Sequence, residues 1–249
     1  MHRELGLPAG SKQRTAGAGP SAPRSYGRRG VAVQMGLGLA AALIGAVWPR
    51  GWRPARAAEG PVRIVALGDS LTAGFGLPAS AAFPVRLQAA LAAKGLATEI
   101  ANAGVSGDTV ADGLARFDWS VPEGTEAVIL ELGANDMLRG LDPRVTRKGL
   151  EDILHRLADR HIDVLLCGMV AAPNLGPDYG RAFNAIYPDL AMSGHLLLYP
   201  FFLNGVVNKP QLVQHDGLHP TAAGVDVIVA GILPLAEQLV ARVKSRRGS

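Results

Sequence analysis

From residue 61 onward, short apolar runs alternate with longer stretches of helical periodicity, and this alternation restricts the fold more than any other feature of the chain. Residues 62–67, 127–132 and 164–170 are too short for buried helices and rich in Val, Ile and Leu, so each reads as a buried strand. Two shorter runs, 97–101 and 196–199, read the same way. Between them helices are predicted over 80–94, closed by Gly95, over 108–117, entered from Gly107, and over 179–191. The helix over 143–160 carries its charges on one face and Leu150, Ile153, Leu154 and Leu157 on the other. A last helix, 221–243, has Pro220 at its start. Strands and helices in this order make a parallel sheet covered on both faces. Nothing divides 60–245, so one α/β domain is expected there, and Lys244 to Ser249 reads as a solvated tail.

Charge separates the remaining residues from that domain. Of 25 basic and 21 acidic residues, nine basic and one acidic lie in 1–58. That segment is therefore +8, and the remainder −4. A mildly acidic domain lacks the basic face that phosphate neutralisation needs, so nucleic acid is not the expected partner. Residues 1–30 are rich in Gly, Pro, Ser, Ala and Arg and are expected to be disordered. Arg28 and Arg29, the apolar stretch 31–47 and Ala55-Arg56-Ala57 are the parts of an export signal, with the arginine pair leaving room for twin-arginine export. The rival reading keeps 31–47 as an inner-membrane anchor, although 17 residues is short for a bilayer of roughly 30 Å. The domain is expected to be periplasmic and monomeric, touching a membrane only through an uncleaved leader. The single Cys167 lies in an apolar run, can form no internal disulfide and reads as core.

Four loops carry polar residues that the sheet topology gathers at one crevice. They are Gly68-Asp69-Ser70-Leu71, residues 102–109, Gly133-Ala134-Asn135-Asp136 and Asp216-Gly217-Leu218-His219-Pro220. A serine after a strand can simply cap the next helix. A serine, an imidazole and a carboxylate together are what an acyl-enzyme mechanism needs. Ser70 is a weak nucleophile until His219 takes its proton, and Asp216 can hold the imidazole in the right tautomer. The backbone N–H groups of Ser70 and Gly107 and the amide of Asn135 are candidate donors to an oxyanion. Asn135 alone is an ordinary turn residue, and Gly107 alone a helix entrance. His215 directly precedes Asp216, faces it poorly and reads as a surface residue, as do His155 and His161. Asp69 and Asp136 are expected to brace their own loops. No Cys/His cluster implies zinc, the glycines of 68–76 lack phosphate-loop spacing, and Ser70 is not in a G-x-S-x-G elbow.

These blocks resemble the SGNH (GDSL-type) hydrolase family, with Ser70, Gly107, Asn135 and His219 at the family's four named positions and Asp216 three residues before His219. The likeness runs from about residue 62 to about 239 and is greatest to the bacterial periplasmic arylesterases and multifunctional thioesterase–lysophospholipases. Residues 112–116 and 184–188 look like that branch, whereas His215 stands where it often has an acid. The resemblance implies a flavodoxin-like three-layer α/β/α fold and hydrolysis, without metal or cofactor, of short- to medium-chain acyl esters, aryl esters foremost, with acyl thioesters and lysophospholipids as further candidates. Leu138, Met169, Leu175, Tyr179 and Phe201 lie in or near loops around the crevice and either line an acyl pocket or belong to the core, and the resemblance implies the Pro/Gly loop 171–178 as the pocket's rim. A carbohydrate acetylesterase and a non-catalytic acyl- or glycan-binding module are the alternatives.

Overall fold

The computed structural model describes residues 60–249. Five parallel strands, β1 (Val62–Gly68), β2 (Thr98–Gly104), β3 (Ala127–Glu131), β4 (Asp163–Cys167) and β5 (Leu197–Tyr199), lie in the order β2-β1-β3-β4-β5. The order reverses between β1 and β3, so a crevice opens at their carboxyl ends. Register sets Gly68 beside Gly104 on one side and Glu131 on the other.

The helices are α1 (Ser70–Ala73), α2 (Phe83–Ala93), α3 (Val110–Ala115), α4 (Phe117–Ser120), α5 (Ala134–Leu138), α6 (Pro143–Asp159), α7 (Pro177–Asn184), α8 (Ile186–Ser193) and α9 (Ala222–Arg247). Helices α2 and α9 pack together on one side of the sheet; α3, α6 and α8 form the other layer. Strand β3 is buried throughout, as a central parallel strand covered on both faces must be. Helix α9 is long and apolar, and it spends Val225, Ile228, Ile232, Leu239, Val240 and Val243 on the core. Its Pro234 lies on the exposed side, where water can satisfy the carbonyl that loses a helical donor.

Three departures from the sequence reading have local causes. The helix expected over 179–191 is two helices, because Pro188 has no N–H for the carbonyl of Asn184. The helix over 108–117 starts later, at a capping box in which Thr109 Oγ1 accepts from Asp112 N–H and Asp112 accepts from Thr109 N–H, and it ends before Arg116. The expected solvated tail is helical to Arg247. Arg247 pairs with Glu126 and donates to the carbonyls of Gly60 at 2.8 Å and Pro61 at 3.0 Å, while Arg246 pairs with Asp163. The leader, residues 1–58, lies outside the described residues.

Candidate active site

Ser70 opens α1 directly after β1. Asp69 caps the helix by accepting from Leu71 N–H at 2.9 Å, and Gly74, at φ +82°, ends it. His219 lies just before α9, which Thr221 caps. The turn ahead of it is fixed by Asp216, whose Oδ1 accepts from the N–H groups of Leu218 at 2.9 Å and His219 at 3.0 Å. Its other oxygen, Oδ2, is 2.6 Å from His219 Nδ1, and His219 Nε2 is 2.8 Å from Ser70 Oγ. The N–H and imidazole of His219, with the N–H of Leu218, hold the Asp216 carboxyl down at about 2. Gln214 links this turn to the loop after α1, donating to the carbonyls of Phe75 at 2.7 Å and Pro220 at 3.0 Å. A Cβ at Gly76, itself at φ +72°, would run into the Gln214 amide.

Asn135, in the first turn of α5, and Gly107, at φ +90°, reach the same crevice. The N–H groups of Ser70 and Gly107 have no protein acceptor among the described residues. Asn135 Nδ2 donates to Asp69 Oδ2 and to the Asp108 carbonyl, both at 3.0 Å. Arg139 ties the two loops together, its Nη2 donating to the Gly107 carbonyl at 2.7 Å. Asp136 braces its own loop, as expected: it accepts from Val110 N–H at 2.9 Å and Thr146 Oγ1 at 3.2 Å. Arg116 is a further brace, pairing with Asp108 at 2.6 Å and donating to the Gly68 carbonyl at 2.9 Å. Burial drives the Asp69 carboxyl up to about 6.

The crevice is a largely apolar cavity of about 680 Å³. Ser70, Gly107, Asn135 and His219 line it, together with Leu138, Met169 and Phe201. Two expected wall residues do not. Residues 171–173 pass along the cavity, but the tight turn Pro173–Leu175 carries Leu175 past it. Tyr179 instead stacks on Phe183, ring centroids 5.8 Å apart, and packs against the core. Phe75, Met137, Val170 and the segment with Leu203, Val206 and Val207, which has no periodicity to announce it, add to the wall. His215 is exposed, as expected. Among the described residues no group of three His, Cys, Asp or Glu side chains is placed to hold a metal.

The parallel sheet, its switch-point crevice and the Ser–His–Asp contact define a hydrolase of the SGNH type. Residues 66–227 match the GDSL-like Lipase/Acylhydrolase family, and the chain belongs to it. It is 38% identical over 165 residues to an arylesterase of Vibrio mimicus, covering 66% of this chain and 82% of that one. With the thioesterase 1/protease 1/lysophospholipase L1 of Escherichia coli it shares 41% over 158 residues, 63% of this chain and 74% of the relative. Among solved structures, TesA superposes with a TM-score of 0.68 at 35% identity, covering 71% of this chain and 99% of that one. AlinE4, an SGNH-hydrolase family esterase, superposes at 0.61 with 45% identity, covering 72% and 96%.

Proposed function

We propose that this protein is a serine esterase that cleaves short- to medium-chain acyl esters, aryl esters and acyl thioesters among them, through an acyl-enzyme. The observation that carries the reading is the unbroken contact from Asp216 through His219 to Ser70 at the mouth of an apolar cavity. Ser70 Oγ attacks the carbonyl carbon while His219 Nε2 takes the hydroxyl proton. Asp216, ionised at any pH above about 2, stabilises the imidazolium that forms. The N–H groups of Ser70 and Gly107 receive the oxyanion, joined by the Asn135 amide as it exchanges its bond to the Asp108 carbonyl for one to the oxyanion. His219 then protonates the departing oxygen or sulfur, and water attacks the acyl-Ser70 ester by the same route in reverse. No step calls on a metal or an organic cofactor.

A cavity of about 680 Å³ with apolar walls suits an acyl chain better than the acetyl group of a carbohydrate ester. The leader's charge and apolar pattern support export to the periplasm, with 31–47 as either a removed signal or a retained anchor. The decisive experiment is a panel of acyl chain lengths on oxygen and sulfur leaving groups, run beside fluorophosphonate labelling. Labelling at Ser70 with turnover beyond acetyl is expected. Turnover of acetyl esters alone would favour the carbohydrate esterase, and saturable binding without labelling would favour a binding module.

A further inference from the structure

Glu131 ends β3 in an otherwise apolar strand, beside Gly68 in the register. It has no solvent exposure. Its Oε2 accepts from Thr72 Oγ1 at 2.7 Å and from Asp69 N–H at 3.4 Å. A Cβ at residue 68 would lie 2.1 Å from Thr72 Oγ1 and 2.7 Å from that Oε2, so glycine there makes room for the contact. The other oxygen, Oε1, is buried with no hydrogen-bond partner as a carboxylate. An anionic oxygen left dry in this way is costly.

Asp69, also without exposure, is joined to Glu131 through its own backbone N–H, so both carboxyls sit in the same dry site. It accepts from Leu71 N–H and from the Asn135 amide. The other groups around the pair do not supply a compensating cation to Glu131. Cys167 on β4 and Tyr187 on α8 are buried, and burial first of all pushes both well above their ordinary ranges, so both are neutral. The Arg116 guanidinium is engaged by Asp108 and the Gly68 carbonyl, and His219 favours a charge on Asp69. Two carboxyls this close in a dry site cannot both ionise.

We propose that Asp69 and Glu131 share one proton, carried on Glu131 and donated to Asp69, and that Glu131 is thereby a positioning residue for the oxyanion donors. The neutral acid keeps Asp69 anionic. Asp69 then grips both the Leu71 N–H, which fixes the start of α1 at Ser70, and the Asn135 amide. Burial and the Asp69 charge both raise the Glu131 carboxyl well above its ordinary range, in the direction this requires. The effect on catalysis rests on the esterase reading; the location of the proton does not.

The test compares wild type, Glu131→Gln and Glu131→Met by infrared spectroscopy and kinetics. A protonated-carboxyl C=O band at neutral pH in wild type, absent from Glu131→Gln, is expected. Gln can still donate to Asp69 and accept from Thr72, so kcat should stay within about threefold of wild type, whereas Met should lose about tenfold or more in kcat with KM unchanged. Absence of the band from wild type, its persistence in Glu131→Gln, or equal kinetic damage in both variants would overturn the proposal. If Glu131→Met fails to fold, the band in wild type and Glu131→Gln still decides. If wild type cleaves no acyl ester, the esterase reading falls while the band still reports on the proton.

Discussion

The ring of Phe75 leans on the imidazole of His219, centroids 4.6 Å apart and planes tilted by 37°. Phe75 is 49% exposed, so the contact covers one face of the proposed base while leaving the aromatic ring available to a ligand. An aromatic contact of this kind contributes about 0.5–1.5 kcal/mol, which corresponds to roughly a two- to tenfold change in rate if it is used to orient the base. Phe75→Ala should lower kcat by that amount. Stopped assays on a short aryl ester measure it, and an unchanged kcat would mean the ring serves only to line the cavity.

Replacing Ser70 by Ala should abolish both turnover and fluorophosphonate labelling, with a loss of at least about 10⁴-fold. The side chain makes no core contact that Ala cannot keep, so thermal unfolding should hardly move. Wild-type turnover in this variant would refute the nucleophile assignment.

Asn135→Ala removes a proposed donor to the oxyanion and leaves Asp69 Oδ2 and the Asp108 carbonyl without the amide. The expected cost is about 10²–10³ in kcat with little change in KM. A matching rise in KM with kcat intact would instead make Asn135 a ground-state binding residue.

Leu138 is half exposed at the cavity wall, whereas Leu175 has been turned away from it. Each methylene taken out of water is worth about 0.8 kcal/mol, so Leu138→Ala should raise KM for a medium-chain ester about three- to tenfold and leave the shortest esters nearly untouched. Leu175→Ala should not alter chain-length preference. A reversed pattern in the two series would show that the loop moves when substrate binds.

The buried acids set a sign for stability against pH. Burial raises Asp69 from 3.8 to about 6, so the folded state holds a proton there that the unfolded chain has already lost. Stability from this group is complete below pH 4 and lost as pH rises towards 6, at up to about 1.4 kcal/mol per pH unit. Asp216 works in the opposite direction: its pull to about 2 gives stability present above pH 4 and lost on further acidification. Denaturant titrations of wild type and Asp69→Asn should therefore diverge between pH 4 and 6, with the variant relatively more stable at the upper end. Parallel curves would show that Asp69 titrates normally.

Ser70 and Asn135 were legible because each lies two residues past a glycine that ends an apolar run, Gly68 and Gly133, and Asp216 and His219 because they share a short polar turn beside Gly217 and Pro220. A parallel sheet brings such positions together. Glu131 was visible in the same way, as one acid in an apolar strand, but hydropathy treats it as a flaw in the run. Gln214, Phe75 and Arg116 carried no local signal: the contacts that tie them to the site, Gln214 to Phe75, Phe75 to His219 and Arg116 to Gly68, span long stretches of chain. Leu175 and Tyr179 show the opposite failure. Nearness in sequence to the site placed them beside it, and the direction of a three-residue turn took them elsewhere. The basic end of α9 was read as solvated because exposed Arg residues usually are; here the carbonyls of Gly60 and Pro61, just before β1, and the Glu126 carboxylate receive Arg247.

That last contact brings residue 247 against residues 60 and 61, at the amino end of the sheet and across it from the serine. A short splice between these two points would cross little space and disturb none of the reacting groups. New termini could then be opened in an exposed turn, giving a rearranged enzyme whose catalytic loops are untouched.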